Sequence, residues 1–147
     1  MDLEQFFPYR LSRLAEAVSL ATAQVYSERF NLSRDEWRIV SALGGEAGAV
    51  KTAYVLESST LDKMRVSRAL ARLEQDGLIE RSPDPNDGRG QLLRLLPAGR
   101  AMYRKIVPMV QAREEFLLAA LDTQERERLD KALTALRERA EQLIRQG

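Results

Sequence analysis

A chain of 147 residues with 44% apolar and 31% charged side chains has the size and mix of one globular domain, and no apolar run approaches the roughly 20 residues that cross a bilayer. The 23 basic and 22 acidic residues leave a net charge of +1, which argues against a general polyanion binder and makes the placement of charge more informative than its sum. The absence of Cys and His removes disulfides, thiol redox chemistry, histidine metal ligands and the commonest acid-base side chain, so the composition implies no cofactor and no metal, and fits a reducing, cytoplasmic setting with no signal segment and no membrane partner.

Pro8 stands near the start of a helical pattern in which Leu11, Leu14, Val18, Ala21 and Val25 form one stripe; its missing N–H costs little in a first turn. "SRDE" then opens a second helix, with Ser33 and Glu36 at the spacing of a capping box. Trp37, Val40 and Leu43 mark its buried face, and Gly44-Gly45 ends it. Thr52 is placed to cap a short helix containing Ala53, Val55 and Leu56, and "SSTLD" supplies a turn before a helix that begins near Asp62 and stops at Gly77. Two helices across a short turn, the second basic, give a helix-turn-helix.

"LIER" and "QLLRLL" read as strands on either side of "SPDPNDGRG", a loop rich in turn-forming residues that puts Arg89 at an exposed hairpin tip. Pro97 starts another long helix through Met102, Ile106, Val110 and Leu117, with a kink expected at Pro108. Asp122 and Glu125 form a second capping box before Leu129, Leu133, Leu136 and Leu143. The fold class is therefore mainly α with a small β-hairpin: a winged helix-turn-helix lobe at 33–96, flanked by a helical dimerisation region at 1–32 and 97–147. The terminal stripes are too long to be buried on the small winged lobe alone, which predicts a homodimer.

The stretch "KMRVSRALAR" carries Lys63, Arg65, Arg68 and Arg72 without an acidic residue. A helix fits the DNA major groove, where Arg and Lys donate to guanine or to phosphate. Because the N-terminal residues of such a helix meet base edges, Arg65, Ser67 and Arg68 are assigned to base readout and Arg72 to phosphate. Arg89, between Gly88 and Gly90, is suited to phosphate or the minor groove, and Asp87 either caps the turn or orients Arg89. Taken alone, four cations on a solvated helix face are an equally ordinary explanation; the hairpin that follows favours DNA. An enzyme finds no constellation here, since the Asp and Glu residues fall at helical ion-pair spacings and no glycine-rich phosphate loop follows a strand.

The runs "LSRDEWRIVSALG" and "TLDKMRVSRALARLEQDGLIERSPDPNDGRGQLLRLLPAG" resemble the multiple-antibiotic-resistance regulator (MarR) family, whose members are dimeric winged-helix transcription factors. The resemblance implies a regulator, acting as a repressor, that binds double-stranded DNA at a pseudo-palindromic operator. It carries Ser67 and Arg68 onto the family's recognition-helix pair, and Asp87 and Arg89 onto its wing-tip acid and second arginine. Gly88 replaces the first wing arginine, Leu96 a capping threonine, and Ser59-Thr60 an apolar residue and a glycine.

The resemblance also implies release of DNA by a small aromatic or anionic effector. Phe6, Tyr9, Arg10, Arg13 and Trp37 are the candidate pocket, although core packing of Phe6 and Trp37 and dimer ion pairs of Arg10 or Arg13 explain the same residues. A winged-helix protein-interaction module without DNA binding is the alternative function, kept open by Gly88.

Overall fold

The computed structural model describes residues 1–147. A 3-10 turn at Leu3–Gln5 precedes α1 (Phe7–Ala23), α2 (Arg34–Gly44), β1 (Val50–Lys51), α3 (Thr52–Ser59), α4 (Lys63–Gln75), β2 (Ile79–Asp84), β3 (Asp87–Leu95), α5 (Pro97–Leu118) and α6 (Thr123–Gln146). The strands form one antiparallel sheet in the order β1-β3-β2. No helix is long and apolar enough to cross a membrane. The chain packs as two compact units, Met1–Val110 and Gln111–Gly147; in these terms α1 and most of α5 belong with the residues expected to form the winged lobe.

The first unit is built on one core. Ile39, Val40 and Leu43 from α2 meet Val55 from α3, Val66, Leu70 and Leu73 from α4, Leu93 from β3 and Ile106 from α5. In β3 the alternation is strict at its end, with Leu93 and Leu95 buried and Arg94 exposed between them, as a half-buried strand requires. Ile79 opposes Leu95 across the hairpin, closing the sheet over α4. Gly44 ends α2 as expected, and it has a second role: the ring of Tyr103 from α5 occupies the space a Cβ would need there.

Both expected capping boxes form. The Ser33 hydroxyl accepts the Glu36 N–H at 3.1 Å while the Glu36 carboxylate accepts the Ser33 N–H at 3.2 Å; Asp122 and Glu125 do the same at 2.8 and 3.0 Å. Three expectations need correction. Thr52 is the first residue inside α3 and makes no cap hydrogen bond; Lys51 is the N-cap, without side-chain help. The chain reaches α3 through β1, a two-residue strand too short to signal itself in the sequence. The hairpin tip is also narrower than the nine-residue loop expected, because pairing runs on to Asp84 opposite Asp87 and leaves Pro85-Asn86 as the turn.

Gly77 leaves α4 at φ +72°, the left-handed region that favours glycine. Thr60 ends α3 in the same region, at φ 59° and ψ 18°, although a β-branched residue there is strained by about 1 to 2 kcal/mol. Thr60→Gly is therefore expected to stabilise the chain by about 1 kcal/mol, after the extra entropy glycine gives the unfolded state is deducted. Urea unfolding checks this; an unchanged or lower midpoint would mean that the turn relaxes at no cost.

In the second unit, the Arg126 guanidinium donates to the Leu118 carbonyl at 3.0 Å and to Glu115 at 2.9 Å, fastening the turn between the end of α5 and α6. No residue of α6 is buried. Leu129, Leu133, Leu136 and Leu143 all lie exposed, as do Leu11, Leu14 and Val18 of α1 in the first unit.

Candidate nucleic-acid interface

The helix α4 is fixed by its cap and its buried face. Asp62 caps it by accepting the Arg65 N–H at 2.9 Å, and Val66, Ala69, Leu70 and Leu73 are buried. At about 100° per residue, the side opposite those four holds Met64, Arg68, Ala71 and Gln75, all exposed. Arg65 and Arg72 fall on one flank, toward α2; Lys63 and Ser67 fall on the other and share a cleft of about 270 Å³ with Thr52 of α3 and Gln91 of β3. The basic residues thus divide into three rows around the helix.

Their partners differ accordingly. Arg65 grips Asp35 of α2 through two hydrogen bonds, Nε to Oδ2 at 3.0 Å and Nη2 to Oδ1 at 2.6 Å, a bidentate geometry that fixes the guanidinium. Arg72 pairs with Asp76 at 3.5 Å. Lys63 and Arg68 make no ion pair. Two of the four cations in this stretch therefore have an acidic partner, and Arg65, one of the residues assigned to base readout, is held by Asp35 on the flank of α4 toward α2.

The Arg65 hydrogen bond holds the Asp35 carboxyl below its ordinary value of 3.8, helped by the charges of Arg65, Arg38 and Arg34 and opposed by partial burial. A carboxyl depressed by a native contact adds stability that is present above its unfolded-state pKa and lost as pH falls through the lower native value. The stability difference between the native chain and Asp35→Asn is accordingly expected to be largest near neutrality and to shrink below about pH 4. A difference that stays constant on acidification, measured by denaturant melts, would contradict this pairing.

The wing is closed by its own carboxylates. Buried Asp84 accepts the Asn86 N–H at 2.9 Å with the Lys51 ammonium 3.9 Å away, and Asp87 accepts the Arg89 N–H at 3.1 Å. Asp87 thus acts on the backbone, the local capping role considered from the sequence. Arg89 lies within β3 rather than at the tip, but its side chain is exposed and has no ion-pair partner. Gly88 beside it borders open space.

The five residues expected to form a small-molecule pocket do not gather in one place. Arg13 pairs with Glu4 at 3.4 Å and lies 5.7 Å from the centre of the Tyr9 ring; Phe6 and Arg10 are exposed near the start of α1. Trp37 lies apart from them, its ring centroid 5.3 Å from Tyr26 and 6.3 Å from Tyr103. It lines a groove of about 430 Å³ between α1 and α2 with Leu11, Val18, Tyr26, Arg34 and Arg38. Burial raises the Tyr26 hydroxyl above its usual pKa, against the lowering effect of Arg34 and Arg38. Arg34 is tied to Glu16 of α1 at 2.8 Å, while Arg38 has no ion pair. Tyr26, Arg34 and Arg38 are not evident from the sequence because no local pattern links them to α1; the helical spacing of 34 and 38, on one face with Trp37 adjacent, is the available signal.

This arrangement agrees with comparisons to known proteins. Residues 30–90, which hold the helix-turn-helix and the first part of the wing, match the MarR family. The chain is 33% identical over 97 residues to YxaD, an HTH-type transcriptional regulator of Bacillus subtilis, covering 66% of this chain and 67% of that protein. Among solved structures, a MarR/EmrR family transcriptional regulator from Acinetobacter superposes with a TM-score of 0.85 at 26% identity, covering 97% of this chain and 99% of the other. The PcaV transcriptional regulator of Streptomyces coelicolor, solved in complex with its natural ligand, gives 0.80 at 25% identity over 95% and 97% of the two chains. By the match of residues 30–90 and the likeness to YxaD, in a chain of the same fold as these solved regulators, the chain belongs to the MarR family of transcriptional regulators.

Proposed function

We propose that this protein is a homodimeric repressor that inserts α4 into the DNA major groove and lays Arg89 of the wing against the backbone, on an operator of two inverted half-sites. The single observation that carries this reading is the outward row of α4, where Arg68 stands exposed and unpaired with Lys63 on the adjacent flank. Arg68 then reads a base, Lys63 and Arg72 meet phosphate, Ser67 contacts either, and Arg65 serves by bracing α4 against α2. The test is binding to random duplex across a salt series. Affinity should fall steeply as salt rises, because neutralised phosphates release counterions; an interaction module without DNA binding would give no appreciable affinity even at low salt.

The groove between α1 and α2 supports a ligand response. Its apolar wall, the Trp37 ring and the unpaired Arg38 suit a small aromatic carboxylate, and two neighbouring side chains of α2 connect it to the DNA face: Arg34 holds α1 through Glu16, and Asp35 holds α4 through Arg65. A ligand that shifts α2 would act on both. Arg38→Ala is expected to leave DNA affinity nearly intact while weakening release by an aromatic carboxylate such as benzoate or a hydroxybenzoate at least tenfold, since a lost charge-assisted pair costs about 1.5 to 3 kcal/mol. Unchanged release in anisotropy titrations would exclude Arg38 as the anchor.

A further inference from the structure

Between residues 33 and 96 a single large apolar side chain is conspicuously solvated: Met64 is 71% exposed, against 37% for Tyr54, the next such residue there. It lies in the first turn of α4, on the outward row, four residues before Arg68. Arg65, its neighbour, is drawn aside by Asp35, so the leading turn presents a thioether flanked by Lys63 and one turn from a free guanidinium. A surface meant only for phosphate gains nothing from methionine at its most prominent point. The major groove offers one apolar group on its base edges, the 5-methyl of thymine, and a flexible, polarizable thioether adapts well to such a contact.

We propose that Met64 is a specificity-determining residue that packs against a thymine methyl in each half-site, while Arg68 donates to a neighbouring base. This rests on the reading of α4 as the helix that enters the groove, and the experiment separates the two. A preferred site is first selected from random duplex with the full-length protein. Each thymine is then replaced in turn, in both half-sites, by deoxyuridine, which keeps every hydrogen-bonding edge and removes only the methyl.

One such replacement should weaken binding by roughly fourfold per half-site, the effect of burying one methyl group. Met64→Ala should bind the thymine and deoxyuridine duplexes equally, with its salt dependence unchanged because no phosphate contact is lost. Exposure of the side chain and the high helix propensity of Ala keep this variant folded, which circular dichroism verifies. The proposal is overturned if no thymine methyl contributes, or if the penalty persists undiminished in Met64→Ala while the native protein binds its site well. If the native protein binds no duplex even at low salt, the assignment of α4 to DNA fails and the role of Met64 falls with it.

Discussion

Arg68→Ala is expected to cost about 1 to 3 kcal/mol per half-site on the preferred operator and to flatten discrimination against sites mutated at the contacted base. The reason is geometric: Arg68 stands opposite the buried face of α4 with no acidic partner, so its guanidinium reaches the groove without first breaking a native contact. Arg65→Ala should behave differently. It frees the Asp35 carboxylate near the phosphates and loosens α4 from α2, so affinity falls on all sequences alike and thermal stability falls with it. Anisotropy titrations on the preferred site and on single-base variants distinguish the two patterns. If Arg65→Ala alters base preference while Arg68→Ala weakens every sequence equally, the assignment is reversed, and Asp35 must release Arg65 on binding.

A double substitution on α6, Leu133→Asp with Leu136→Asp, is expected to convert the protein to a monomer and abolish high-affinity operator binding. These side chains are 51% and 47% exposed in the single chain, so the monomer tolerates polar replacements, whereas a symmetric interface would bury each twice. Burying a fully exposed leucine is worth about 1.5 to 3 kcal/mol; with about half of each side chain already covered, about 1.5 to 3 kcal/mol remains for the two copies at one position together. Light scattering at micromolar concentration reads the result. A dimer mass retained by the variant would move the interface elsewhere, and a monomer mass for the native chain would remove the dimer from the account.

Much of this was legible in the sequence because it is written in local pattern. Both capping boxes, the stop at Gly77 and the buried faces of α2 and α4 depend on residues within a few positions of each other, where spacing determines geometry. The strand β1 was not legible, since two residues carry no period and Val50 is ordered by pairing with Leu93, 43 positions away. The Asp35–Arg65 brace was hidden for the same reason: Asp35 looks like an ordinary acid in a helix's first turn, and its partner is 30 residues distant. The groove between α1 and α2 was the least legible. Trp37 reads as either a pocket or a core aromatic, and Tyr26, Arg34 and Arg38 join it along the groove only through the packing of α1 on α2. Thr60 marks a further limit, because the sequence flagged an unusual turn residue without revealing that the backbone keeps the left-handed conformation regardless.

In the proposed function, two copies of α4 related by a two-fold axis read two half-sites on one face of DNA. Selection from a fully randomised duplex library with the full-length protein tests it most directly. Enrichment of an inverted repeat whose half-site centres lie about 10 to 10.5 base pairs apart, roughly 34 Å along the helix, is expected. Recovery of no enriched motif, or of a single unsymmetrical site bound by one copy, would contradict it.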